Sequence, residues 1–296
     1  MTRMNFAKNL LPFVLLALPA ASHAKLDVFA CEPEWAALTK ALAGEKANVF
    51  SATHAGQDPH HIQARPSLIA KLRKADLAVC TGAELETGWM PMLQRRARNP
   101  KVLPGKQGYF EATQQVALLD KPDNLDRAEG DVHGDGNPHV QLDPRRILKI
   151  AESLSKRLQV IDPDNKSFYQ KRLSGFVGPL QDSITQWQQQ AKLLQGKQVI
   201  VHHREWIYLL DWLGLTRVGS LEPKPGIPPT LEHLAKLKQL SADMIILSPL
   251  NNTKPSKWLN EKTQASVVVL PHTVSATPGT DSYIDLFNEI IARLTQ

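Results

Sequence analysis

The chain is poor in cysteine. It has two cysteines in 296 residues, Cys31 and Cys80, too few and too far apart for a zinc finger. No H-E-x-x-H helix occurs, which removes the commonest zinc-protease arrangement. Aromatics make up 6% of the chain, and the net charge of +6 is spread along it without a basic stripe. That pattern argues against nucleic acid as a partner. After residue 20 no segment approaches ~18 uninterrupted apolar residues, so no later membrane span is expected. The two halves share no visible sequence repeat.

What is present begins with an address. Arg3 and Lys8 precede an apolar run, Leu10 to Ala20, followed by Ala21-Ser22-His23-Ala24. This reads as a secretory signal peptide, residues 1–24, cleaved after Ala24. Cys31 follows Val28-Phe29-Ala30 and mimics a lipidation site. Lys25 and Asp27 interrupt the stretch before it, so a soluble protein of a Gram-negative periplasm is expected, with no membrane insertion after cleavage.

Strand-like and helical runs alternate, which predicts βα units around mostly parallel sheets. The first half offers strands Leu26–Cys31, Ala47–Ser51, Leu77–Cys80 and Lys101–Leu103. Helical patterns lie at Glu34–Ala43, Pro66–Arg73 and Glu84–Arg96, and residues 104–138 form an excursion poor in pattern. A helix starts at Asp143-Pro144, where Asp143 is placed to cap it. A second helical stretch covers 163–195, with Gly175 and Pro179 marking a bend or break. The second half alternates again: strands Gln198–His202, Thr216–Ser220, Met244–Leu247 and Ser266–Leu270, with helices Trp206–Leu213, Thr230–Leu240, Ser256–Thr263 and Ser282–Leu294. The expected fold is α/β, an N-terminal lobe over 25–162 and a C-terminal lobe over 196–296. Each lobe carries a mostly parallel sheet flanked by helices, and one long connecting helix joins them. Cys31 and Cys80 each end a strand, and neighbouring strands in an oxidising compartment would permit a disulfide.

Four polar segments follow strands or open helices: Asp58-Pro59-His60-His61, Asn137-Pro138-His139, His202-His203-Arg204-Glu205 and Gly279-Thr280-Asp281-Ser282-Tyr283. In extended chain, adjacent side chains point opposite ways, so one histidine of each pair faces a cleft. His60 and His203 are the choices. Three imidazoles, His60, His139 and His203, with the Asp281 carboxylate make a four-coordinate set suited to a borderline-soft divalent ion. His133 and Glu205 are accessory donors. The bland alternatives are solvated loop histidines and, for Asp281, a plain helix cap.

Taken in order, these segments resemble the zinc/manganese-binding periplasmic proteins of ABC importers, the ZnuA/TroA type. The likeness rests on Asp58-Pro59-His60, on Asn137-Pro138-His139 with Leu142-Asp143-Pro144, and on His203 with Trp206 and Tyr208. It extends to Asp281-Ser282-Tyr283 and to Thr81-Gly82-Ala83-Glu84-Leu85-Glu86, where Thr81 replaces the family's Asn. The resemblance implies metal ligation by His60, His139, His203 and Asp281. It implies a monomeric carrier, not an enzyme, that hands Zn2+ to a membrane permease and its cytoplasmic ATPase.

Two departures bear on the cargo. Zinc-selective members often carry a long acidic and His-rich loop, and here that region holds only Asp131, His133 and Asp135. Manganese members often place a carboxylate at the third ligand, where this chain has His203, which favours zinc over Mn2+. A zinc hydrolase with Glu205 as general base is the rival class. A siderophore or corrinoid carrier would want an aromatic, Arg-lined cleft instead.

Overall fold

A computed structural model describes residues 24–122 and 130–296. The leader expected over 1–24 lies outside the described residues except for Ala24. Two four-stranded parallel sheets organise the rest. The first holds β1 (Leu26–Ala30), β2 (Ala47–Ser51), β3 (Leu77–Cys80) and β4 (Tyr109–Glu111), in the order β2-β1-β3-β4. The second holds β5 (Gln198–Val201), β6 (Thr216–Ser220), β7 (Met244–Leu247) and β8 (Ser266–Val269), in the order β6-β5-β7-β8. The second sheet repeats the topology of the first although no sequence repeat is visible. Central strands read Leu-Ala-Val-Cys and Met-Ile-Ile-Leu and are buried throughout, as strands covered on both faces require.

Helices α1 (Pro33–Ala43) and α2 (Pro66–Lys74) open with proline, where the missing N–H costs no helical bond. α3 is shorter than the expected Glu84–Arg96 and runs Met90–Ala97. Gly82, Ala83 and Glu84 all take positive φ, so the chain turns before it can wind. The expected strand Lys101–Leu103 is a 3₁₀ turn, Pro100–Val102, because the Asn99 side chain accepts a bond from Lys101 N and caps it. The fourth strand lies instead at Tyr109–Glu111.

α4 (Pro144–Ile161) is capped by Asp143, which accepts from Arg145 N at 2.9 Å. A helical path then runs through 163–194 in three pieces: a 3₁₀ turn at Pro163–Asn165, α5 (Lys166–Gln190) and a 3₁₀ turn at Ala191–Leu194. α5 is not broken at Pro179. At ~1.5 Å per residue, its 25 residues span about 37 Å. The second half adds α6 (Ile207–Leu213), α7 (Leu231–Leu237), α8 (Thr253–Thr263) and α9 (Tyr283–Leu294). α8 starts before the expected Ser256 because Asn252 caps it through Lys254 N.

One buried apolar cluster runs from Val28 in β1 through Leu154 in α4 and Trp187 in α5 to Val201 in β5 and Phe287 in α9. Trp187, Trp212 and Phe287 pack with ring centroids 5.4–6.1 Å apart, and Trp187 Nε1 donates to Asn288 Oδ1 at 2.8 Å. This continuous core seats both sheets on the same helical spine, with their carboxyl ends turned to a common cleft.

Cys31 and Cys80 follow β1 and β3, neighbours in the first sheet, and form a disulfide with Cα atoms 4.8 Å apart. The bond closes a separation of 49 residues. Loop-closure entropy puts its contribution at about 4 kcal/mol.

Candidate metal centre

In open parallel sheets, ligands gather beyond the carboxyl ends of the strands, and the polar residues here do so. His60 sits in the loop after β2, and His139 follows the excursion after β4. His203 lies two residues past β5 and Glu222 two past β6, while His272 lies three past β8. Ring nitrogens of His60, His139 and His203 all lie within 4.8 Å of one another. Their ring centroids are 5.7–6.0 Å apart. Two nitrogens on one tetrahedral zinc stand about 3.3 Å apart, so small side-chain rotations would bring all three onto one ion.

Two carboxylates fix the rings from behind. Asp58 Oδ1 accepts the His60 main-chain N–H at 2.9 Å and pairs with His60 Nδ1 at 2.8 Å. Pro59, between them, biases Asp58 toward extended geometry. Glu222 Oε2 pairs with His203 Nδ1 at 2.7 Å and also accepts Gly226 N–H at 2.9 Å. A proton held on each Nδ1 leaves Nε2 as the free donor, the orienting arrangement that metal-binding histidines use. The His139 segment is held differently. Its N–H donates to Asn137 Oδ1 at 3.0 Å, the Tyr208 hydroxyl donates to the Asn137 carbonyl at 2.6 Å, and Asn137 Nδ2 donates to the Arg204 carbonyl at 3.0 Å. Buried His139 Nε2 has no hydrogen-bond partner among the described residues.

The electrostatics act on these imidazoles in opposite directions. Burial first, then the neighbouring His203 and His60, holds His139 well below the usual imidazole range. His133 is pushed down to about 4 by burial and by His60. His203 goes the other way. Burial pushes it down, but the Glu222 bond and the carboxylates of Glu205, Glu222 and Asp58 outweigh that and raise it. Asp58 falls to about 2, since its bond and charge interaction with His60 exceed the upward push of burial. Glu205 is buried and raised to about 7 by that burial, and its Oε1 has no partner.

The accessory residues fall close by. His133 reaches back from the excursion so that its Nε2 stands 3.2 Å from His60 Nε2. Its loop docks on the loop after β6 through Asp131 N–H to the Pro225 carbonyl at 3.1 Å. A Cβ at Gly130 would overlap that same carbonyl oxygen, so only glycine allows this approach. Glu205 lines the same cavity of about 310 Å³ as His60, His139 and His203.

Asp281 is the exception. The structure does not bring it to the three imidazoles: it is exposed, and its Oδ1 accepts from Ser275 Oγ at 2.8 Å. It sits just before Ser282, whose hydroxyl caps α9, so the segment serves the helix entrance. His61 and His202 also lie outside the cluster.

Sequence reasoning missed His272, which lines the cavity, is 7% exposed, and carries an unpartnered buried Nδ1. One signal pointed to it: Pro271-His272 is a third Pro-His dipeptide after Pro59-His60 and Pro138-His139.

Two parallel sheets on one helical spine, with imidazoles converging from both, define a cleft-type metal-binding protein. Residues 28–296 match the family described as "ZnuA: Zinc-uptake complex component A periplasmic", and the chain belongs to it. It is 25% identical over 288 residues to the manganese ABC transporter substrate-binding lipoprotein PsaA of Streptococcus mitis, covering 94% of this chain and 90% of that one. It is 28% identical over 205 residues to the zinc-binding lipoprotein AdcA of Streptococcus pneumoniae, covering 68% of this chain and 40% of that one. Its fold is that of the ZnuA crystal structure, with a TM-score of 0.75 at 20% identity, covering 92% of this chain and 98% of that one. The Mn-bound periplasmic metal-binding protein of Candidatus Liberibacter asiaticus gives 0.75 at 19% identity over the same shares. The chain is therefore a divalent-metal-binding, solute-binding component of ABC import and not an enzyme.

Proposed function

We propose that this protein captures zinc in preference to manganese, on His60, His139 and His203, in a cleft between lobes at 25–162 and 196–296. It delivers the ion as a monomer to an ABC permease and its ATPase. The observation that carries this reading is the convergence of three imidazole nitrogens within 4.8 Å. An all-nitrogen set favours zinc, whereas oxygen donors suit manganese. The manganese reading draws on the relative named for manganese, which covers more of the chain than the one named for zinc. The all-imidazole donor set supports zinc over it.

We place the protein in a Gram-negative periplasm after cleavage following Ala24. Both compared relatives are lipoproteins by name. Here Cys31 follows β1 directly, is buried and is joined to Cys80, which supports a disulfide role for that thiol over lipidation.

The test is metal analysis and chelator competition on the purified protein and on His60→Ala and His203→Ala. We expect one zinc per chain, held more tightly than manganese, and at least about a hundredfold weaker zinc binding in each variant, the upper end of what loss of a mere outer partner produces. Zinc binding undiminished in both variants would refute the reading.

A further inference from the structure

With Asp281 outside the group of three, the three imidazoles leave one corner of a tetrahedral ion to be filled. The three come from the loops after β2 and β4 and from the end of β5. Pro271 and His272 follow the end of β8, at the carboxyl edge of the second sheet that borders the same cavity. His272 is 7% exposed, lines the cavity together with His60, His139 and His203, and presents a buried Nδ1 that has no partner among the described residues. A buried polar atom left unpaired costs about 1–3 kcal/mol, which a ligand can recover.

Its segment is held at His272 itself and at the residue that follows. The His272 carbonyl accepts from Gln141 Nε2 at 3.5 Å, two residues from His139. Thr273 Oγ1 donates to Glu34 Oε2 at 2.6 Å. Backbone position is therefore set against the N-terminal half. Since His272 stands outside the group of three, its side chain must turn to reach the ion, with no loop to rebuild.

We infer that His272 is the fourth metal donor and makes the centre an all-imidazole site selective for zinc over manganese. This rests on the ligand reading for His60, His139 and His203. Glu205, also buried with an unpaired oxygen, is the competing donor. It lies in the 3₁₀ turn Arg204–Trp206 that follows His203 directly, on the side of the cleft that His203 already supplies. His272 follows β8, the edge strand two places from β5 in the sheet order.

The experiment measures Zn2+ and Mn2+ affinity by chelator competition, and the visible spectrum of the Co2+ form, for wild type, His60→Ala, His272→Gln, His272→Asp and Glu205→Gln. Circular dichroism and melting of the metal-free variants separate ligand loss from misfolding. We expect His272→Gln to keep the fold, weaken zinc at least about tenfold, and lower the tetrahedral Co2+ absorption. His272→Asp should shift the Zn2+/Mn2+ affinity ratio toward manganese by at least about tenfold, as a harder donor enters. Zinc affinity and Co2+ spectrum unchanged in a folded His272→Gln, or lost in Glu205→Gln instead, would overturn the fourth-donor assignment while His60→Ala still weakens zinc at least about a hundredfold. Failure of His60→Ala to weaken zinc would instead remove the site beneath it.

Discussion

At the scale of single residues, the centre is set by what stands behind the imidazoles. Glu222 holds His203 through Nδ1 and keeps it above the ordinary imidazole range. A protonated imidazole cannot ligate, so zinc affinity starts to fall as pH drops through a range above ~6.5, set by His203 and not by the depressed His139. In Glu222→Gln the acid fall in affinity should move to lower pH, because the raised state of His203 loses its cause. At pH 8 the variant should bind zinc about 10–100-fold more weakly, through loss of orientation. Isothermal titration across pH 5.5–8 reads both, and an unmoved acid limb would contradict the assignment.

The same scale shows what was legible. His60, His139 and His203 could be picked from sequence because each follows a strand or a Pro-fixed loop that limits where it can point. Asp281 could not be resolved, since an Asp before a capped helix reads alike as ligand or cap. Asp58 and Glu222 act only through three-dimensional contact, so no spacing announces Glu222.

At the scale of elements, periodicity located long segments and failed on short ones. α4 carries Ile147, Ile150, Leu154 and Leu158 on one buried stripe, enough turns to be unmistakable. β4 has three residues, Tyr109–Glu111, too few for an alternation to show. The excursion hid its second task as well, since a Gly- and Asp-rich loop gives no hint that it returns His133 to His60.

Element packing also buries charge. Glu34, in α1, reaches Thr273 past β8 and is raised to about 7 by burial, as is Glu86. A carboxyl whose folded pKa lies above its unfolded value gives stability that is full below about 4.5 and lost as pH rises through about 7. Glu34→Gln keeps an acceptor for Thr273 without the ionisation. The metal-free variant should match wild type near pH 4.5 and exceed it in melting temperature at pH 8. Equal melting temperatures at both pH values would show that Glu34 does not carry this linkage.

At the scale of the whole molecule, the spine limits motion. α5 and the buried cluster join both sheets, and Thr273–Glu34, Tyr208–Asn137, Asn137–Arg204 and Asp131–Pro225 bonds cross between the two halves of the chain. Opening the cleft widely would break all of them together. Metal loading is therefore expected to turn side chains with little domain movement. Small-angle scattering with and without one equivalent of zinc should give superimposable curves, and a marked compaction on loading would reject a rigid spine.

The central claim is that one cation is gathered by imidazoles from distant parts of the chain. X-ray absorption at the zinc edge, on protein loaded with one equivalent, tests it most directly. The account predicts at least three imidazoles at about 2.0–2.1 Å, with no sulfur in the shell. A shell dominated by oxygen, or holding fewer than three imidazoles, would contradict it.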